Sequence, residues 1–320
     1  MMLAAAIFCA CRTNEPNGKA VETPKITVEF NADSAYKYVA DQVAFGPRVP
    51  SSASHANCLE YLEQTLTRLG AAVEVQDGEG RAFDGAKVPI HNVIARILPD
   101  KANRIILCAH WDSRPFADHD RDASYHNTPI DGACDGASGV GVLIEVARQL
   151  QVRQPNIGVD IILFDTEDGG TPSHLENVEH RADSWCVGSQ FWAKSDLGIN
   201  CQARFGILLD MVGATGATFY REQYSLSYAR SVVDKVWRAA EAVGHQSNFP
   251  KEDGAYITDD HYFINKIAKV PCVDIIQFDP TTDSSFGAYW HTHNDNMSVI
   301  DKQTLAAVGE TVLYVVYSER

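Results

Sequence analysis

The sequence predicts an α/β fold: one domain with a mostly parallel, mixed central sheet covered by helices on both faces. Three observations carry the prediction. Runs rich in Ile, Val and Leu alternate with stretches whose apolar residues recur every three or four positions, as strands joined by crossover helices do. After residue 30 there is no internal repeat, no second composition regime and no Pro/Ser-rich linker. Apolar residues at 45% and charged residues at 22% are ordinary globular usage, which excludes a disordered or low-complexity chain.

Taken in order, Asp33-Ser34 can cap a helix through Val43 that ends at Gly46-Pro47. A second helix over 54–69 puts Cys58, Leu59, Leu62, Leu66 and Leu69 on one face, and Gly70 stops it. Strands are expected at 72–75, 91–98, 104–109, 159–164, 205–209 and 271–278. Helices are expected at 136–150, 184–195, 225–243 and 302–317.

A net charge of −15, from 27 basic and 42 acidic residues, repels phosphate backbones and excludes nucleic acid as a partner. A chain of 320 residues buries a large core without staples, so its eight cysteines need no disulfide framework. Cys58, Cys108, Cys134, Cys186, Cys201 and Cys272 lack zinc-ribbon spacing, and their spacing fixes no pairing.

The apolar run Met1–Ala10 is about half the ~20 residues that a membrane helix needs. With Ala10 before Cys11 it resembles a bacterial lipoprotein signal, and residues 12–18 suit a flexible linker. The division expected is therefore 1–25 as signal, anchor and linker, and 26–320 as one catalytic domain. Export to the periplasm, with a lipid on Cys11 as the sole membrane contact, is the corresponding localisation. A truncated secretory signal, or an apolar tail without an export role, is the plainer alternative.

Ligands in such sheets bind beyond the carboxyl ends of the strands. Four strands lead there into ionisable residues: His110-Trp111-Asp112, Asp165-Thr166-Glu167-Asp168, Asp210, and Trp290-His291-Thr292-His293. Asp135 precedes the helix expected at 136–150. Singly, each has a plain role. An Asp before a helix is ordinarily a cap, and a carboxylate at a strand end is ordinarily solvated. Together they share one rim, where a divalent cation relieves their repulsion. Histidine and carboxylate donors without a thiolate motif suit zinc in an open site of three protein ligands.

The segments A-H-W-D-S, D-G-A-S-G-V, F-D-T-E-D, L-L-D-M-V-G and W-H-T-H-N-D, in this order, resemble the M28-type zinc aminopeptidase clan. More closely they resemble its glutaminyl-peptide cyclotransferase branch (type II glutaminyl cyclases), in particular the exported bacterial members. The resemblance runs from about residue 33 to the C-terminus. It implies a zinc aminopeptidase-like α/β fold with one zinc per chain, held by Asp135, Asp168 and His291. Glu167 would be the acid–base residue, with Asp260 and Asp210 beside it, and Trp290, Phe286 and Trp185 would line the substrate pocket. Animal cyclases have Glu-Glu where this chain has Glu167-Asp168, a second ligand one methylene shorter. The implied substrates are peptides and proteins with N-terminal glutamine, and a monomeric enzyme is expected.

Two rivals stay open at this stage. The aminopeptidases hold two zinc ions, and His110, Asp135, Asp168, Asp210 and His291 would supply their full ligand set. A non-catalytic metal-binding lipoprotein is the other. Plainer roles remain for single residues: Asp260 as a helix cap, Trp290 and Phe286 as packing, and His293 in place of His291 as the ligand.

Overall fold

The computed structural model describes residues 26–320 apart from Asn177 and His180. The expected signal with Cys11 lies outside the described residues. Six strands form one mixed sheet: β1 (Ala72–Arg81), β2 (Lys87–Ile97), β3 (Arg104–His110), β4 (Gly158–Phe164), β5 (Gly206–Asp210) and β6 (Cys272–Ile276). Their spatial order is β1-β2-β4-β3-β5-β6. The inner pairs β4–β3, β3–β5 and β5–β6 are parallel, whereas β1–β2 and β2–β4 are antiparallel. The carboxyl ends of β3, β4, β5 and β6 therefore meet at one edge.

Among the described residues, eight α-helices surround the sheet: α1 (Ala32–Val43), α2 (Ala53–Arg68), α3 (Ala137–Val152), α4 (Val187–Lys194), α5 (Asp196–Ile199), α6 (Gln223–Val243), α7 (Asp260–Phe263) and α8 (Lys302–Ser318). The period-two alternation of strand side chains divides the interior in two. Ile105, Leu107 and Ala109 of β3 join the larger core with α1, α2, α3, α6 and α8. Ile106 and Cys108 face a smaller core with Trp192 of α4 and Ile264 after α7. Both faces of the inner strands are covered, which is why their sequences are apolar throughout. Among the described residues, no helix is long and apolar enough to cross a membrane.

Several boundaries differ from expectation. Asn31, rather than Asp33 or Ser34, caps α1 by accepting from the Ser34 N–H. β1 runs on to Arg81 as half of a hairpin with β2; its exposed polar positions hid it. The helix expected over 184–195 begins only at Val187, because Trp185 is extended and Cys186 is left-handed at φ 55°. The six cysteines among the described residues are free, and of these only Cys186 belongs to a cluster of possible metal ligands.

Candidate active site and metal centre

Three backbone mounts bring the site together. Asp112, just past β3, accepts the N–H groups of Glu167 and Asp168 at 3.0 and 3.2 Å. Asp295 accepts those of Cys134 and Asp135 at 2.7 and 3.1 Å. The buried Arg48 donates to the carbonyls of Trp111, Asp131 and Gly132, tying β3 to the loop before α3. Asp135 is not the cap of α3, whose N-cap is Gly136 without a side-chain bond. That glycine is required by space: a Cβ would lie 2.5 Å from His110 Nε2.

Asp135, Asp168 and His291 present ligand atoms that all lie within 4.8 Å of one another, and all three residues are buried. His291 Nε2 is 3.2 Å from Asp168 Oδ1 and 3.7 Å from Asp135 Oδ2. Donors about 2.0–2.2 Å from a tetrahedral zinc lie about 3.3–3.6 Å apart, so these spacings fit the ion. Asp168 Oδ2 is buried without a hydrogen-bond partner, as a ligand awaiting a cation would be. The shorter Asp168 thus reaches the cluster despite its missing methylene.

Other groups orient the ligands. Asp118 sits 3.5 Å from His291 Nδ1 and is itself gripped by Arg114 at 2.7 and 2.8 Å. Burial raises the pKa of Asp118, but its hydrogen bonds with Arg114 and the nearby His291 outweigh it and hold the carboxyl well below the usual range. Arg114 also donates to the Asp168 carbonyl at 2.9 Å. Such partners fix ligand geometry around a metal.

His110 stands apart from this set. Its Nε2 is 2.9 Å from Asp135 Oδ1 and 3.2 Å from Asp210 Oδ1, distances of hydrogen bonds. His293 is 40% exposed and lies 3.2 Å from Asp120, outside the cluster.

Beside the ligands opens a small cavity of about 60 Å³. Its aromatic wall is Trp185, Phe286 and Trp290, and Glu167, Asp210 and Asp259 also line it. Trp290 stacks on His291 at 3.7 Å, and the Trp185 ring lies parallel to His291 at 6.0 Å. Gly170 makes room for Trp185, since a Cβ there would come within 1.9 Å of the indole.

The carboxyls here are perturbed. Burial, with Asp168, Asp259 and Asp260 nearby, raises Glu167 well above its ordinary value. Burial and Asp135 push Asp210 up to about 7.

Asp260 is not on the cavity wall. Asp259 caps α7 in extended backbone and lines the cavity, whereas Asp260, one residue into the helix, is fully buried with both carboxylate oxygens unpartnered. Asp259, Asp112, Asp118 and Asp295 were absent from the sequence-derived site, although Asp112 and Asp295 lie inside quoted motifs.

The profile of peptidase family M28 matches residues 92–316. A solved glutaminyl cyclase of Tannerella forsythia is 52% identical, with TM-score 0.89, covering 91% of this chain and 99% of its own. A solved Zn-dependent exopeptidase of Parabacteroides distasonis is 50% identical, also with TM-score 0.89 and with 91% and 99% covered. The glutaminyl-peptide cyclotransferase of Drosophila melanogaster is 25% identical over 284 residues, 81% of this chain and 73% of its own. The chain belongs to peptidase family M28, in the branch that contains the bacterial glutaminyl cyclases.

Proposed function

We propose that this chain converts N-terminal glutamine of peptides and proteins to pyroglutamate with release of ammonia. The observation that carries the reading is the small aromatic-walled cavity, with a His-and-two-carboxylate set at its end and the buried Glu167 in its lining. Asp135, Asp168 and His291 would hold one zinc per chain, which when bound supplies a Lewis acid for the γ-carbonyl of the substrate.

The chain's own groups manage orientation and protons. Trp185, Phe286 and Trp290 clasp the glutamine side chain and exclude bulk water. Glu167 takes a proton from the α-amine, whose nitrogen forms a bond to the γ-amide carbon. Glu167 then returns the proton to the amide nitrogen, the old carbon–nitrogen bond breaks, and ammonia departs. Asp259 orients that leaving nitrogen, a role the sequence reading gave to Asp260. Asp210 lines the same cavity, and buried neighbouring carboxyls resist joint ionisation, so it can keep a proton near neutral pH.

A dizinc aminopeptidase is the second reading, favoured by the buried His110–Asp135–Asp210 cluster. Mass spectrometry of a Gln-initiated peptide separates the two. The cyclase product keeps every residue and loses ammonia, whereas the peptidase product is shorter by one residue.

Export belongs to the same proposal, with Cys11 lipidated in the periplasm. Cys11→Ser should move the protein from the membrane fraction to the soluble one, and unchanged membrane association would contradict the anchor. A monomeric enzyme belongs to the same proposal, and sedimentation at micromolar concentration tests it.

A further inference from the structure

Glu167 is held by more than its Asp112 mount. The Cys186 N–H donates to the Glu167 carbonyl at 2.8 Å, and the Val187 N–H donates to the Thr166 carbonyl at 3.0 Å. The Cys186 thiol donates to Glu167 Oε1 at 3.0 Å. Both residues are buried, and Cys186 has no exposed surface. α4 is pressed tightly onto this loop: a Cβ on Gly188 would come within 2.1 Å of the Asp165 carbonyl.

The backbone of Cys186 is in the left-handed region at φ 55°, where a side chain with a Cβ is disfavoured. Asn and Asp tolerate that region better, so conformational preference alone does not explain a cysteine here. The thiol finds its partner on the proposed acid–base group.

We infer that Cys186 is a positioning residue for the reaction: its thiol fixes the Glu167 carboxylate toward the cavity, while its backbone fixes the loop that carries Glu167. This rests on the cyclase reading for its catalytic consequence, though the contact itself does not. The carboxylate has several rotatable bonds and lies among like charges, Asp168, Asp259 and Asp260, that repel it. A neutral donor on one oxygen selects one arrangement without adding a competing cation. Burial and the nearby Glu167 also raise the thiol well above its ordinary pKa, so it remains a donor.

The test uses the zinc-loaded full chain. Cys186→Ala should lower kcat on a Gln-initiated peptide by about tenfold, since a misplacement of about 1 Å can cost up to about 100-fold. KM and zinc content should stay unchanged, and Cys186→Ser, which restores a donor, should recover most of the loss. A second measurement needs no turnover. The infrared S–H stretch absent from Cys186→Ala identifies the Cys186 band, and Glu167→Gln, with its weaker neutral acceptor, should move that band to higher frequency. Wild-type kcat in Cys186→Ala at full zinc occupancy overturns the inference, as does a band that Glu167→Gln leaves in place. If Cys186→Ala fails to fold, the Glu167→Gln band shift against wild type decides. If the band shifts while no Gln-initiated peptide releases ammonia, the contact stands and the cyclase reading fails instead.

Discussion

Changing Asp112 to asparagine separates the role of the shared mount from that of the groups it carries. In the wild type, Oδ1 accepts from Glu167 N–H and Oδ2 from Asp168 N–H, so one carboxylate seats the acid–base residue and a zinc ligand together. Asparagine keeps the shape but offers one acceptor. One N–H then faces the amide nitrogen and loses its bond, and the other exchanges a charged acceptor for a neutral one. Hydrogen bonds to charged groups contribute about 1.5–3 kcal/mol and neutral ones about 0.5–1.5, so the cost is about 2–4 kcal/mol. For a chain of 320 residues this lowers Tm by about 3–6 °C. Zinc affinity should fall by about 10–100-fold, as when other outer partners of a ligand are removed. Calorimetry of the metal-free protein and zinc competition with a chelator read the two effects separately. A wild-type Tm together with wild-type zinc affinity would refute the mount.

Three further outcomes follow from the site. His291→Ala should abolish zinc retention after dialysis, whereas His110→Ala should leave it largely intact; loss of a second stoichiometric zinc from His110→Ala would favour the aminopeptidase. Asp259→Asn should keep zinc and lose about 100-fold in kcat, while Asp260→Asn keeps most activity, and the reverse ranking would return the role to Asp260. The pH dependence of stability in the metal-free protein has a defined sign. Asp210, raised to about 7 by burial and Asp135, binds a proton in the folded state that it has lost in the unfolded chain, so its contribution to stability falls as pH rises from about 4 through 7. His110, raised by the neighbouring carboxylates Asp112, Asp135 and Asp210 despite burial, acts in the same sense: its contribution is present below about 6.5 and lost as pH rises through its higher folded value. Asp118 acts in the opposite sense, but only below about pH 4. Calorimetry should therefore give a higher Tm near about pH 5.5 than near about pH 7.5, and zinc should narrow the gap; a Tm that rises over this window would contradict the cluster.

What could be read in the sequence was whatever writes itself along the chain. The inner strands are apolar on both faces because both faces are buried, and their last residues, His110 and Asp210 among them, sit at the rim by topology alone. Asp135, Glu167 and Asp168 converge because each lies just past such an end or directly before the helix that follows one, and His291 joins them from the long loop between β6 and α8. What depends on side-chain direction was hidden. Asp259 and Asp260 are adjacent acids, and which of them faces the cavity is decided by extended backbone at Asp259 followed at once by a helical turn. The long-range mounts were hidden as well, since Asp295 holds the Asp135 backbone across 160 residues of sequence. The left-handed turn at Cys186 carries no glycine or asparagine to announce it, so the helix was expected to start before it. The full length of β1 was hidden for another reason: its outer part alternates half-buried with exposed residues and has few apolar ones.

Zinc titration of the metal-free protein, followed by ammonia release, addresses the proposed chemistry most directly. A Gln-initiated and a Leu-initiated peptide are supplied together, and both ammonia and free leucine are measured at each addition. With one ligand set of Asp135, Asp168 and His291, ammonia release should saturate at one zinc per chain while the Leu-initiated peptide stays intact. Activity that appears only at a second equivalent, with free leucine and no ammonia, would contradict the account.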